Sequence, residues 1–235
     1  MDKNLYIITG SSSGIGKKIS LLLLKNNQKV IGISRNKLKV KSKNFQFIKH
    51  DFKTYLNIKK IFKLLKNYKY IYIICAAGKR SNLKNDIENI VDKININFFN
   101  QFQFINEIKN LNIKIKKVVF FSSFNIFREK NIEDIGYQIG KRTIFEITKN
   151  DASKNFQCYV MGNVLTKMLK QNPSLLKSLP LIGNYLEKKI SLQPEYIAKQ
   201  VISNLSNNSA NIFYYPKIHP YLIKCIISFL EKIKN

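Results

Sequence analysis

Two residues one helical turn apart carry the most pointed chemistry in this sequence. Tyr137 and Lys141, in Tyr137-Gln138-Ile139-Gly140-Lys141, stand at i and i+4 and would share one face of a helix. That sets a phenol beside an ammonium. A nearby cation favours tyrosinate, so the phenol is expected to ionise more readily than a free tyrosine. Such a group can give its proton to a carbonyl oxygen as hydride reaches the carbon, and take it back in the reverse reaction. A Tyr-x-x-x-Lys pair is common on solvated helix faces. It gains meaning from Ser123, which ends the apolar run Lys117-Val118-Val119-Phe120-Phe121, because ligands of open parallel sheets bind at the C-terminal edge of the strands.

A second constellation lies near the start of the chain. Thr9-Gly10-Ser11-Ser12-Ser13-Gly14-Ile15-Gly16 follows the apolar run Leu5-Tyr6-Ile7-Ile8 and precedes Ile15, Ile19, Leu22 and Leu23 at helical spacing. The glycines therefore sit where a strand turns into a helix, the context that gives a glycine-rich pattern meaning. Gly10 allows a tight turn, Gly14 lets backbone approach a phosphate, and Gly16 brings the helix close to the strand. Free N–H groups at a helix start attract a pyrophosphate. Gly10, Ser12, Ser13, Gly14, Ile15 and Gly16 are thus the expected cradle of a dinucleotide.

The elements that must hold these residues alternate. Further strands are expected at Lys29–Ser34, Phe45–Ile48, Tyr70–Cys75, Lys117–Phe121, Phe156–Val160 and Ile212–Tyr215. Helices are expected at Tyr55–Leu65, at Ile87–Leu111 as two pieces meeting near Asn95–Asn97, at Tyr137–Asn150, at Pro194–Leu205 and at Tyr221–Ile233. Gln171–Ser191, with Pro173, Pro180 and Gly183, reads as a loop with short helical pieces. This order predicts an α/β fold, a doubly wound parallel sheet of about seven strands with helices on both faces. The 235 residues suit one domain spanning 1–235, with a core at 3–170, a substrate loop at about 171–193 and covering helices at 194–235.

The formal net charge is +27, from 41 Lys and Arg against 14 Asp and Glu. The lysines are spread along the chain among Asn and Ile, which reads as compositional bias. No nucleic-acid motif or basic tail accompanies them, so no specific nucleic-acid partner is expected. Cys75, Cys158 and Cys225 are odd in number and far apart, which suggests reduced, structural thiols. His50 and His219 have no ligand-type neighbours, so no metal site is expected. No stretch is long and apolar enough to span a membrane. Met1-Asp2-Lys3-Asn4 runs directly into the first strand, leaving no room for a signal peptide, and the expected location is cytoplasmic. The terminal helix, apolar with Lys224, Lys232 and Lys234, would cover the pocket or a subunit interface, or lie on a membrane through residues 220–234.

Taken together, Thr9-Gly-x-x-x-Gly-Ile-Gly16, Ser123 and Tyr137-x-x-x-Lys141 resemble the short-chain dehydrogenase/reductase family over about residues 3–170. The glycine spacing is similar to that of the shorter oxidoreductase branch rather than the extended sugar-epimerase branch. The resemblance implies a Rossmann-type fold and NAD(P)-dependent oxidoreduction of a small carbonyl or secondary alcohol. It makes Tyr137 the general acid/base, Lys141 the group that holds the nicotinamide ribose and lowers the tyrosine pKa, and Ser123, preferred over Ser122, the partner of the substrate oxygen. It makes Asn97, or alternatively Asn95, the holder of a relay water. Asp51 would contact the adenine with Phe52 beside it, Ala77 and Gly78 would allow close cofactor approach, and Val164 and Thr166 would meet the carboxamide. It also implies a dimer or tetramer through the two long helices, where Phe98, Phe102 and Phe104 would serve either the interface or the core.

Two positions depart from the family pattern. Cys75-Ala76-Ala77-Gly78 stands for the usual Asn-Asn-Ala-Gly, which removes amides expected to bond neighbouring strands, and Met161 stands for the usual proline before Gly162. At the end of the second strand, Ser34-Arg35-Asn36 lacks the carboxylate that would bind a ribose 2′-hydroxyl. Arg35 suits a 2′-phosphate instead, so NADP(H) is expected, with NAD(H) the alternative. A non-catalytic dinucleotide-binding regulator or scaffold on the same fold is an alternative, because fold alone does not prove catalysis, but the intact Tyr137 and Lys141 speak against it. A membrane-surface reductase of a lipid or lipid-linked substrate is the further alternative. Substrate selectivity would lie in Phe124–Ile135 and after Thr166, where Phe124, Ile126, Phe127, Leu169, Leu175, Leu176 and Leu181 would form an apolar pocket.

Overall fold

The computed structural model describes residues 4–80, 86–111, 113–128, 134–171, 183–207 and 211–234. Seven parallel strands form one sheet in the order β3-β2-β1-β4-β5-β6-β7. They are β1 (Asn4–Thr9), β2 (Lys29–Ser34), β3 (Phe45–Lys49), β4 (Tyr70–Cys75), β5 (Ile115–Ser123), β6 (Phe156–Met161) and β7 (Ile212–Tyr215). The helices are α1 (Gly14–Lys25), α2 (Lys59–Leu65), α3 (Ile87–Ile94), α4 (Asn100–Asn110), α5 (Ile135–Lys149), α6 (Lys167–Gln171), α7 (Gly183–Ile190), α8 (Pro194–Asn204) and α9 (Pro220–Lys234). This is the Rossmann-type doubly wound architecture expected from the sequence.

Most strands are largely apolar because both faces of the sheet are covered. Leu5 and Ile7 enter one core with Ile71, Ile73, Val118 and Phe120, under α2, α4 and α5. Tyr6 and Ile8 enter the other with Tyr72, Ile74, Val119 and Phe121, under α1 and α8. Phe104 is fully buried in the first core, and Phe98 and Phe102 pack against it. All three side chains contribute to the core, one of the two uses expected for them. Cys75 and Cys158 are buried free thiols and Cys225 is exposed on α9. Among the described residues no group of side chains could hold a metal ion, and no helix is long and apolar enough to cross a membrane.

Two element boundaries differ from expectation for local reasons, and one break falls where it was expected. α2 starts at Lys59 rather than Tyr55, because the chain first turns on Asp51, whose carbonyl accepts from Thr54 N at 3.1 Å. Asn57 Oδ1 then accepts from Lys59 N at 2.9 Å and opens the helix. The long segment from Ile87 is broken by a π-helical turn over Asn95–Phe99, at the place where two helices were expected to meet. α5 begins at Ile135, which puts Tyr137 in its first turn. Leu175, Leu176, Leu181, Pro173 and Pro180, expected in the substrate loop, lie outside the described residues.

Candidate active site

After β1 the chain turns to α1 on one face of the sheet, and after β4 it leaves toward α3 on the other. A crevice opens between the two strand ends, as such switch points require. The cleft there has a volume of about 1060 Å³. Gly10 and Gly14 adopt φ of +64° and +52°, a conformation that side chains disfavour. A Cβ on Gly10 would also stand 2.7 Å from the Ala76 carbonyl oxygen. The turn thus lies flat on the end of β4, with Gly10, Ser12, Ser13, Gly14 and Ile15 lining the cleft. Gly16 does not line it. It sits beneath the turn, where a Cβ would come within 2.5 Å of Gly10 O.

The strand ends are tied by a residue the sequence reading missed. Gln101 of α4 is buried and accepts from Thr9 Oγ1 at 2.5 Å, while its Nε2 donates to Ala77 O at 3.1 Å. Thr9 Oγ1 in turn accepts from Ala77 N at 3.0 Å. The amides absent from Cys75-Ala76-Ala77-Gly78 are replaced from the helix behind. A buried Gln at helical spacing after Asn97 was the available sign. Met161 pairs with Ser123 and Tyr215 as the last residue of β6, so the strand simply continues where a proline was expected.

Tyr137, Ser123 and Lys141 meet at the far end of the cleft, and all three line it. The Tyr137 hydroxyl is hydrogen-bonded with the Ser123 side chain. Ser122 is turned away, its hydroxyl donating to Lys141 O at 2.8 Å. Lys141 Nζ lies 5.6 Å from the Tyr137 ring centre.

The electrostatics differ from the simple phenol–ammonium picture. Burial raises the Tyr137 pKa above its ordinary value. The Arg80 guanidinium and the Ser123 hydrogen bond pull it down, and Asp134 pushes it up. Lys141 is itself driven down to about 8, chiefly by burial, with the Cys158 and Cys75 thiols acting the other way. The expectation that Lys141 makes Tyr137 more acidic is therefore corrected. Lys141 Nζ and the Arg80 guanidinium carbon stand at nearly the same distance from the ring centre, 5.6 and 5.7 Å, but burial weakens the Lys141 charge, and Arg80 is the cation that lowers the Tyr137 pKa.

The remaining expected residues divide. Arg35, Asp51, Phe52, Ala77, Gly78, Val164 and Thr166 all line the cleft. Phe52 is held by Asn100, whose Nδ2 donates to Phe52 O at 2.8 Å. The Val164 segment is held by a bridge to Leu192. Asn97 is fully buried and does not line the cleft. Its Nδ2 donates to Lys79 O at 2.7 Å and Lys93 O at 2.8 Å, and its Oδ1 accepts from Lys79 N at 3.3 Å. It clamps the chain leaving β4 from behind. Sequence reading did not find Arg80 or Lys79, which line the cleft; Ile223, Ile227 and Leu230 of α9 line it too, as expected of a covering terminal helix. Among the described residues that line it, nine are Lys or Arg and one, Asp51, is acidic, so the cleft suits an anionic ligand. The glycine turn, this charge and the open crevice fit a dinucleotide.

A family model described as the NAD dependent epimerase/dehydratase family matches residues 6–168. No curated protein matches the chain in sequence. Solved structures do. A short chain dehydrogenase family protein from Francisella tularensis subsp. tularensis SCHU S4 is 25% identical, with a TM-score of 0.68, covering 92% of this chain and 97% of its own. 4-Hydroxyisoleucine dehydrogenase complexed with NADH is 18% identical, with a TM-score of 0.71, covering 90% of this chain and 96% of its own. A short chain dehydrogenase from Burkholderia cenocepacia J2315 in complex with NADP is 15% identical, with a TM-score of 0.67, covering 98% of this chain and 93% of its own.

The depressed Lys141 has a measurable consequence. Between about 8 and 10.5 the unfolded chain keeps a proton on Lys141 that the folded chain has lost, so this residue's contribution to stability rises with pH across that window. Below about 8 the cost of its buried charge is present in full. The unfolding free energy of Lys141→Met relative to the wild type should be flat at lower pH and decline through that window. Urea unfolding at a series of pH values checks this, and a difference constant throughout would contradict it.

Proposed function

The chain belongs to the NAD dependent epimerase/dehydratase family, among the short-chain dehydrogenases and reductases, and we propose on that premise that it is an NADPH-dependent reductase of a carbonyl compound. In reverse it would be a dehydrogenase of the secondary alcohol. The observation that carries this reading is the Tyr137 hydroxyl, hydrogen-bonded with Ser123 inside the cleft at the C-terminal edge of the sheet.

Tyr137 O–H gives its proton to the substrate oxygen, and Ser123 O–H is the second donor to that oxygen as negative charge builds on it. The nicotinamide supplies or accepts the hydride when bound. The Gly10–Ile15 turn would hold the pyrophosphate, Lys141 the nicotinamide ribose, Val164 and Thr166 the carboxamide, and Asp51 and Phe52 the adenine. NADPH is favoured by the end of β2. Ser34 Oγ donates to Asn36 O at 2.7 Å, and Arg35, Lys37 and Lys39 line the cleft there with no carboxylate among them. Met168, Leu169, Ile190, Ile223 and Leu230 wall the substrate end, which suits a carbonyl with an apolar body.

Two measurements test the reading. With a panel of carbonyl compounds, wild-type turnover followed by nicotinamide absorbance should fall by about 10²–10⁴-fold in Tyr137→Phe, with dinucleotide affinity little changed. Equal turnover in both would overturn the chemistry, and isomerisation of a sugar without net cofactor oxidation would assign the chain to epimerase chemistry instead. Arg35→Asp should weaken NADPH against NADH by about tenfold or more in fluorescence titrations. An unchanged ratio would refute the NADP preference.

α9 supports a membrane-surface variant of the same chemistry. Its inward residues Ile223, Ile227 and Leu230 line the cleft, while Tyr221, Leu222, Ile226 and Phe229 are exposed on its outer side. Lys217, Lys224 and Lys232 beside them are exposed as well. An apolar stripe flanked by lysines suits an anionic lipid surface. The wild type should sediment with phosphatidylglycerol vesicles and Phe229→Asp should not; wild-type protein left in the supernatant would end this variant.

A further inference from the structure

Beside Tyr137 lies a cluster of buried charge that proton transfer from the phenol does not itself require. Lys93 on α3 is fully buried, 0% exposed. Its ionic partner among the described residues is Asp134, with Nζ 3.2 Å from Oδ1. Asp134, itself 2% exposed, receives Arg80 Nε on its other oxygen at 2.7 Å. The Arg80 guanidinium carbon stands 5.7 Å from the centre of the Tyr137 ring. Three separate elements are needed for this row: the chain leaving β4, the helix α3, and the residue that precedes α5. The start of α5 can approach α3 this closely because position 136 is glycine. A Cβ there would come within 2.6 Å of Ile90 O and 3.1 Å of Lys93 Cβ.

A buried ammonium is costly unless its pairing is used. Arg80 and Asp134 alone would be a neutral pair, and their opposed fields would largely cancel at the phenol. A third member changes the sum. Two cations around one anion leave one net positive charge, and the cation at the cleft is the one beside Tyr137. We propose that Lys93 is a positioning residue of this site, which offsets Asp134 so that Arg80 keeps a positive field on Tyr137 and promotes its tyrosinate form. The proposal rests on reading Tyr137 as the proton-transfer group. Among the described residues, the other charges facing the phenol are these. Lys141 lies on its own helix, over the ring face, and Lys79, next to Arg80, is paired with Asp92 at 3.1 Å. On the β5 side the neighbour is the uncharged Ser123. A merely structural Lys93 would hold α3 against α5 and leave the phenol's titration where it is.

The test reads that titration directly. The tyrosinate absorbance of the wild type, minus that of Tyr137→Phe, isolates Tyr137. In Lys93→Met it should move to higher pH by about one pH unit or more, and Lys93→Arg should restore it. In alcohol oxidation, the limb on which activity rises with pH should move the same way. If Lys93→Met does not fold, the double variant Lys93→Met/Asp134→Asn buries neither charge and should titrate at higher pH than Asp134→Asn alone. A Tyr137 titration unmoved in the folded variants overturns the proposal, whatever happens to stability. A titration that moves in a protein without turnover upholds the charge cluster and removes the reductase reading instead.

Discussion

The site depends on the crevice that opens where neighbouring parallel strands send their chains to opposite faces of the sheet. β1 and β4 are paired along their whole length, Asn4 with Tyr70 through Thr9 with Cys75. Beyond that pair the backbone must part. A parting of this kind exposes backbone polar groups, and each has to find a partner or face a ligand. Here the Thr9 hydroxyl, the Gln101 amide and the Ala77 backbone close on one another. Gly10 N donates to Ile33 O at 2.8 Å, which ties the glycine turn to the end of β2 as well. The packing of Gly10 against Ala76 and the placement of every cleft residue on the β4 side follow from this closure.

Electrostatics at the other end of the cleft are a contest between burial and pairing. The chain as a whole is strongly basic, yet the charge that matters is local. Tyr137 and Lys141 are both driven toward their neutral forms by desolvation. The cations that line the cleft are set against that tendency, and their effect depends on how they are paired. Arg80 is held by Asp134, and Lys79 by Asp92. A surface lysine in the same composition would be screened by water and salt. Inside the cleft the low dielectric makes each pairing count.

The elements were legible because both faces of the sheet are buried. Six of the seven strands are apolar runs that needed no alternation to be recognised, and the glycine turn fell between a strand and a helix as its spacing implied. The less regular boundaries were legible only in part. The expected start of α2 lies four residues early, although Asn57 opens that helix through a local contact with Lys59 N, whereas the break after Ile94 fell where two helices were expected to meet. The residues lining the cleft were legible where a motif names them. Asn97 carried a motif as well, but the fold sets it behind the wall rather than in it. Gln101, Arg80, Lys93 and Asp134 carried none.

What the sequence by itself determined is the order of strands and helices, the dinucleotide turn, and the pairing of Tyr137 with Lys141 on one helix. These rest on contacts between residues close in the chain, where period and spacing suffice. Only the tertiary structure decided which cation lowers the phenol's pKa, and which side chains replace the missing amides at the strand ends. Those outcomes turn on burial and on neighbours brought together from β4, α3, α4 and α5. Desolvation and the distance between charges exist only once the chain is folded.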